Sequence, residues 1–392
     1  MEADMATHSP TWQAHDGTVK RERQPALDGR WAWSIGRLFG IDIRVHATFL
    51  ILLAWVAASH WMHGHGASEV VGGVAYVLAV FAIVVMHELG HALVARRFGI
   101  ATRDVTLLPI GGVARLERMP SDPKQELLVA IAGPAVNVAL AVLLFGAIVA
   151  FGSMSEVLGV AFVGGPLFAK LMWTNVGLAV FNLIPAFPMD GGRVLRAALA
   201  MRRDYVRATD IAASVGQAVA LGFGLFGLFT NPFLVFIALF VWIGAQAEAT
   251  AAHVHAGLAG VPVTQAMVMR FATLSPDALI SAAAESMTAS FQDGIPIVDG
   301  SRLVGMLTRE DILRAALDDA SSANPVAGIM QRDVATVSED ESLDVALDRL
   351  QAAGRRSIPV VRGDELVGLL PVQNVVQILH RRERARLAHT LG

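Results

Sequence analysis

Val85-Met86-His87-Glu88-Leu89-Gly90-His91-Ala92 is an H-E-x-x-H pattern set inside an apolar run that covers 69–95. On a helix, a spacing of four puts His87 and His91 on one face, one turn apart, where both imidazoles can reach a single tetrahedral ion. Glu88 projects beside them, placed as a general base to take a proton from water activated there. Ionisable groups deep in an apolar span are costly unless they are paired or metal-bound, so the setting itself points to function. The competing account is a helix end dipping into the membrane interface, with two hydrogen-bonded, structural histidines.

Further apolar runs lie on either side of this one. Stretches near 44–63, 126–151, 163–186, 210–230 and 232–251 join it, each close to the roughly 20 residues of a spanning helix. Asn231-Pro232 divides the last two, because proline cannot continue a helix. The expectation is a polytopic α-helical membrane protein with about six transmembrane helices. Over the whole 392 residues, 54% are apolar and only 17% charged, beyond ordinary globular usage. Charge returns to soluble density only after about residue 250, so an aqueous part follows the membrane part. The first 30 residues are polar and mixed in charge, with no apolar core or cleavage site; positions 1–34 read as a partly disordered cytoplasmic leader and not a signal peptide.

Composition also excludes classes of function. A net charge of −3 without a basic patch argues against a nucleic-acid partner. The absence of cysteine removes disulfides and thiolate metal sites, leaving imidazole and carboxylate as the strong zinc ligands. Arginine and lysine set the topology. Arg30, Arg37 and Arg44 precede the first span, Arg96, Arg97, Arg103, Arg115, Arg118 and Lys124 follow the second, and Arg193, Arg196, Arg202, Arg203 and Arg207 follow the fourth. The opposite loops carry neither residue type, so the positive-inside rule places both termini in the cytoplasm. His60, His63 and His65 then sit at the extracytoplasmic end of the first span and read as interfacial.

A site with two histidines needs a third ligand from elsewhere in the chain. Asp190 is the candidate. It lies in Asn182-Leu183-Ile184-Pro185-Ala186-Phe187-Pro188-Met189-Asp190-Gly191-Gly192-Arg193, at the same side of the membrane as His91, where prolines and glycines break the helix. On position alone, ligation and N-capping of a helix starting near Gly191 are equal alternatives. Asn137 and Asn182 are candidates for stabilising an oxyanion, with helix-to-helix hydrogen bonding as the other account of each.

These segments together resemble the site-2 protease family of intramembrane zinc metalloproteases. Its zinc-binding helix is similar to His87–His91, and its Asn-x-x-Pro-x-x-Pro-x-Asp-Gly pattern is matched by Asn182, Pro185, Pro188, Asp190 and Gly191. Pro109-Ile110-Gly111-Gly112-Val113, Gly133-Pro134-Ala135-Val136-Asn137 and, more loosely, Gly40–His46 are also similar. The resemblance covers about 35–250; the membrane protease domain is placed at 35–255. It implies Asp190 as the third ligand of one Zn2+ per chain and Glu88 as the catalytic residue. It also implies a multi-pass cell-membrane enzyme of regulated intramembrane proteolysis, whose partners are membrane lipid and a transmembrane protein substrate. In bacteria the family often cuts membrane-bound anti-sigma or pro-sigma factors. Strand propensity at Val105, Leu107 and Ile110, before the Gly111-Gly112 turn, adds a small membrane-associated β element whose edge could hold an extended substrate.

Beyond residue 260 an internal repeat appears at one constant offset. Met267 aligns with Met330, Thr273 with Thr336, Ile295-Pro296 with Ile358-Pro359, and Leu303-Val304-Gly305 with Leu366-Val367-Gly368. Each copy alternates strands with amphipathic helices and resembles a cystathionine-β-synthase (CBS) domain, here a soluble α/β tandem pair with repeats at 261–316 and 324–384. The family's Gly-x-x-Thr-x-x-Asp turn is matched by Gly305, Thr308 and Asp311, which implies ATP or AMP at that cleft. Pro371 and Asn374 depart from it in the second copy, so at most one cleft should bind well. A dimerisation module without ligand, in which Thr308 and Asp311 only cap a helix, is the alternative. Two other classes compete for the whole chain: a CBS-regulated ion transporter and a catalytically inactive membrane-binding relative. Glu88 argues against the inactive relative, and the lack of repeat symmetry among the spans argues against the transporter.

Overall fold

The alternating segment Ile41-Asp42-Ile43-Arg44-Val45-His46 does not enter the first helix. It forms strand β2 (Ile41–His46), paired antiparallel to β1 (Ala32–Leu38). The structure, a computed structural model, describes residues 31–391 apart from 65, 110, 117–119, 121, 152–166, 291 and 318–322. His65, Ile110 and most of the leader lie outside the described residues, and β1 starts inside the range read as leader. Helix α1 (Ala47–Met62) and the long α2 (Ala67–Arg97) follow, then a hairpin of β3 (Thr102–Leu108) and β4 (Gly111–Leu116). The sheet order is β1-β2-β3-β4, with β2 and β3 parallel, so β1 and β4 are its edges. Ile41, Ile43, Val45, Val105 and Leu107 bury one sheet face against Phe81, Val85 and Leu89 of α2. The face so packed belongs to the helix that carries His87 and His91.

The remaining helices of this part are α3 (Pro123–Phe151), α4 (Leu167–Asn182), α5 (Asp190–Ala200), α6 (Tyr205–Phe229) and α7 (Pro232–Leu258). Four of these described helices, α2, α3, α6 and α7, are long and apolar enough to cross a membrane. That is fewer than the six spans expected. Helix α1 has 16 residues, or about 24 Å of rise against a hydrocarbon core of about 30 Å. Its apolar run is shared with β2, which the sheet has taken. Helix α4 also has 16 residues; it ends at Asn182, where Pro185 and Pro188 prevent continuation, and 163–166 fall outside the described residues. Phe226, Phe229, Phe233, Phe236 and Phe240 project outward from α6 and α7, as lipid contact requires.

Helix α2 approaches α3 closely because Gly90 has no side chain. A Cβ there would lie 2.8 Å from Val136 Cγ2 and 2.9 Å from the Ala132 carbonyl oxygen. Gly244 of α7 gives the same freedom to Pro188, whose Cδ would be 2.6 Å from a Cβ.

The aqueous part is built from α8 (Ile280–Ser290), β5 (Gly294–Asp299), β6 (Arg302–Thr308), α9 (Arg309–Leu317), β7 (Val337–Ser338), α10 (Leu343–Ala352), β8 (Ser357–Arg362), β9 (Glu365–Pro371) and α11 (Val372–Leu391). Its five strands run in the order β5-β6-β9-β8-β7. The two copies of the repeat interlock: Met330 covers Gly305 of the first copy, and Met267 covers Gly368 of the second, each leaving less than 3 Å to a Cβ. No flexible linker separates this part from the membrane part. Val254 and Leu258 at the end of α7 pack into the same core as Leu343, Leu347, Val375 and Leu379. Arg382 donates to the Gly257 carbonyl at 3.0 Å.

The tight α2–α3 contact has a measurable consequence. Gly90→Val is expected to destabilise the detergent-solubilised protein by about 1–3 kcal/mol. Gly146→Val, where nothing lies within 4 Å of a Cβ, should leave the thermal midpoint nearly unchanged.

Candidate metal centre

Helix α2 places the two imidazoles as the spacing predicts. Both are buried, His87 at 7% and His91 at 8% exposure, and their Nε2 atoms are 3.1 Å apart. The loop 183–189 brings Asp190 to them, with Oδ2 3.2 Å from His87 Nε2 and 3.3 Å from His91 Nε2. Among the described residues this is the one grouping of three or more His, Asp and Glu side chains fit for a metal ion. Asp190 does not itself take the N-cap position. Met189 occupies the N-cap position of α5, and Asp190 is the first helical residue, with its carboxylate turned to the histidines. The cis Phe187-Pro188 bond lies in this loop.

Hydrogen bonding fixes which nitrogen of each ring is free. His91 Nδ1 lies 2.7 Å from the Val129 carbonyl, which can only accept, so Nδ1 carries the proton and Nε2 presents a lone pair. For His87 the direction comes from a relay. The Leu171 carbonyl accepts from Asn175 Nδ2 at 2.9 Å, Asn175 Oδ1 accepts from Asn137 Nδ2 at 3.1 Å, and Asn137 Oδ1 accepts from His87 Nδ1 at 2.5 Å. A backbone acceptor at the far end orients every donor in the chain, so His87 Nε2 is an acceptor as well.

With both rings neutral, three lone pairs therefore converge, from His87 Nε2, His91 Nε2 and the buried Asp190 Oδ2. Such an arrangement is repulsive unless a cation sits among them. The donor separations, 3.1–3.3 Å, match the edge of about 3.3 Å between ligands held 2.0–2.1 Å from a tetrahedral ion. The space is preserved by glycine. A Cβ on Gly133 of α3 would be 2.2 Å from His91 Nε2 and 2.7 Å from His87 Cε1. Gly191 and Gly192 allow α5 to start against the loop, since Cβ atoms there would meet the Ile184 carbonyl oxygen at 2.2 Å and the Phe187 nitrogen at 2.6 Å. The residues present fit a metal held by two imidazoles and a carboxylate.

Glu88 lies beside the ligands and under strand β4. A Cβ on Gly112 would be 2.9 Å from Glu88 Cγ, so the backbone of this edge strand passes directly over the carboxylate stem. Asn137 is not available as expected. It is fully buried, and its carbonyl and amide are committed to His87 and Asn175. Its amide is taken up within the bundle, between His87 and Asn175. Asn175 was missed by the sequence reading; its signal is a lone buried amide in an otherwise apolar span. Asn182 ends α4, partly buried, at the start of the loop that delivers Asp190. His60 and His63 turn back onto the carbonyls of Val56 and Ser59 in their own helix.

In the aqueous part, Thr308 and Asp311 form a reciprocal cap at the start of α9. Thr308 donates through N and Oγ1 to Asp311 Oδ2 at 2.9 and 2.6 Å, and the Asp311 N–H returns to Thr308 Oγ1 at 3.3 Å. Gln331 Nε2 donates to both Asp311 oxygens, and Arg355 bonds Gln331 in turn. Arg355 Nη1 is buried without a partner, and burial lowers the guanidinium pKa against the pull of Asp311 and Asp333. Asn374 of the second copy is engaged with the Ala266 carbonyl at 2.8 Å.

Comparison with known proteins gives the family of the chain. The family model for peptidase family M50 matches residues 75–165 and 165–223, and that for the CBS domain matches 263–318 and 326–381. A zinc metalloprotease of Methanocaldococcus jannaschii is 32% identical over 88% of this chain and 94% of its own length. Rip3 of Mycobacterium tuberculosis is 30% identical over 89% of this chain and 93% of its own length. The solved site-2 protease from Methanocaldococcus jannaschii is 36% identical, with 56% of this chain and 95% of that chain covered and a TM-score of 0.41. The chain belongs to peptidase family M50, as a zinc metalloprotease of the site-2 protease type that carries a pair of CBS domains.

Proposed function

We propose that this protein hydrolyses peptide bonds in or near the transmembrane segments of membrane proteins, with one zinc ion held by His87, His91 and Asp190. The observation that carries this reading is the convergence of three buried acceptors, two of them oriented by bonds to Val129 and Asn137. His87, His91 and Asp190 would hold the zinc ion, which when bound would supply Lewis acidity to the scissile carbonyl and to the attacking water. Glu88 takes the proton from the attacking water and passes it to the departing amine. Stabilising the developing oxyanion falls to Asn182, since both ends of the Asn137 amide are bonded.

A helical substrate must be unwound before its carbonyl can be attacked. The edge of β4 supports a means, since an extended segment adding to it runs past Gly112 and hence past Glu88. The substrate is a single transmembrane segment with a helix-weakening stretch, of the kind found in membrane-bound anti-sigma or pro-sigma factors. The distribution of arginine supports a cell-membrane location with both termini, and so the CBS pair, in the cytoplasm. The CBS pair senses adenine nucleotide, ATP or AMP, at the cleft beside Thr308 and Asp311. The unpartnered cation Arg355 Nη1 next to this cap favours an anionic ligand there. The pair also supplies the contact for a homodimer.

Two experiments test these roles. Glu88→Gln should keep stoichiometric zinc while cleavage of a transmembrane substrate in detergent falls by about 10²–10⁴-fold; unchanged turnover contradicts the base assignment. Calorimetric titration of AMP and ATP into the full chain and into Asp311→Ala should show binding to the first and loss in the second. Equal titrations remove the sensing role.

A further inference from the structure

Arg196 lies six residues after Asp190 on α5, about 9 Å along the helix axis. It is 2% exposed, as is Glu126 of α3. Its Nε and Nη2 lie 2.8 and 2.6 Å from Glu126 Oε1, while Nη1 donates to Glu248 Oε2 of α7 at 2.8 Å. The guanidinium carbon sits 4.9 Å from the Phe187 ring centroid and 5.2 Å from that of Tyr205. Phe187 is fully buried and belongs to the loop that delivers Asp190. A single side chain thus joins α3, the ligand loop, α5, α6 and α7.

What these elements carry gives the cluster its significance. Helix α3 holds the Val129 carbonyl, Gly133 and Asn137, which set the two histidines. Helix α5 begins with the carboxylate, and α7 ends inside the core of the second CBS repeat at Val254 and Leu258. A buried ion cluster stabilises little compared with apolar residues of the same volume, so bundle stability alone does not account for it. The planar guanidinium, in contrast, donates through Nε to Glu126 and through Nη1 to Glu248, and so fixes the distance and angle between the helices it joins.

We propose that Arg196 is a positioning residue for the metal centre. By tying α5 to α3 through Glu126 it sets Asp190 against the histidine pair. Through Glu248 it gives α7, and with it the second CBS repeat, a share in that setting. The proposal rests on the metal reading above. It names a device that the ligand motifs do not contain: a buried charge cluster linking the third ligand to the regulatory part.

The full chain in detergent provides the test, with three readouts. These are zinc affinity by chelator competition, the visible spectrum of the cobalt-substituted protein, and the unfolding midpoint of the metal-free protein. Glu126→Gln/Arg196→Met/Glu248→Gln removes the charges at nearly constant volume. It should unfold at or above the wild-type midpoint yet bind zinc about 10-fold more weakly, with a shifted cobalt spectrum. Arg196→Lys should not restore the spectrum, because an ammonium lacks the fork. Glu248→Gln leaves the Arg196–Glu126 pair in place and should lose a smaller part of the affinity. A triple variant that folds normally with wild-type zinc affinity and cobalt spectrum overturns the proposal. If the triple variant does not fold, an unchanged affinity and spectrum in Glu248→Gln overturns it. Wild-type protein that takes up no zinc at this site removes the metal reading itself, a different failure visible before any variant is made.

Discussion

Two imidazole nitrogens and a carboxylate oxygen face one another at 3.1–3.3 Å in a buried space, each with a lone pair to offer when the rings are neutral. Without a cation this is an electrostatic fault; with one it is a site. Much of the membrane part can be understood as what is needed to bring these atoms together. Helix α2 supplies the four-residue spacing. Helix α3 comes close enough to orient both rings because Gly90 and Gly133 lack side chains. The loop 183–189 returns the chain to the same depth, and Gly191 and Gly192 let α5 start against it.

The orienting groups show how rigidity is obtained inside an apolar bundle. Each histidine is fixed by an acceptor from α3, and the relay through Asn137 and Asn175 ends on a backbone carbonyl of α4. Outer groups of this kind govern metal affinity nearly as strongly as the ligands themselves. The sheet serves the same centre from the other side. Its buried face packs on α2, while its free edge, β4, lies over Glu88. The proposed base, the proposed ligands and the edge strand are therefore built on one helix and its immediate neighbours.

How much of this was legible beforehand depends on the range of each signal. His87, Glu88 and His91 are a local pattern, and Asp190 lies in a stretch whose prolines and glycines mark a break. The CBS pair was legible as a repeat, because Met267 and Met330 or Gly305 and Gly368 recur at one offset. That the methionines cross over to cover the partner copy's glycine is a tertiary fact that repetition alone does not contain. The partners of Asn137, His87 and Asn175, lie 50 and 38 residues away, beyond the reach of a local pattern, so its two alternatives stayed open in the sequence. Arg196 reads in sequence as one of several arginines marking the cytoplasmic side; its partners are 70 and 52 residues distant. The β1–β2 hairpin could have been found from the alternation of Ile41, Ile43 and Val45. It was hidden because the same residues open an apolar run.

X-ray absorption at the zinc edge of the purified full chain tests the central claim most directly. The account predicts one zinc per chain with a shell of nitrogen and oxygen only, at about 2.0–2.1 Å, containing two imidazoles. It also predicts that Asp190→Ala alters that shell. Protein that holds no zinc, or whose zinc shell is the same in Asp190→Ala, contradicts it.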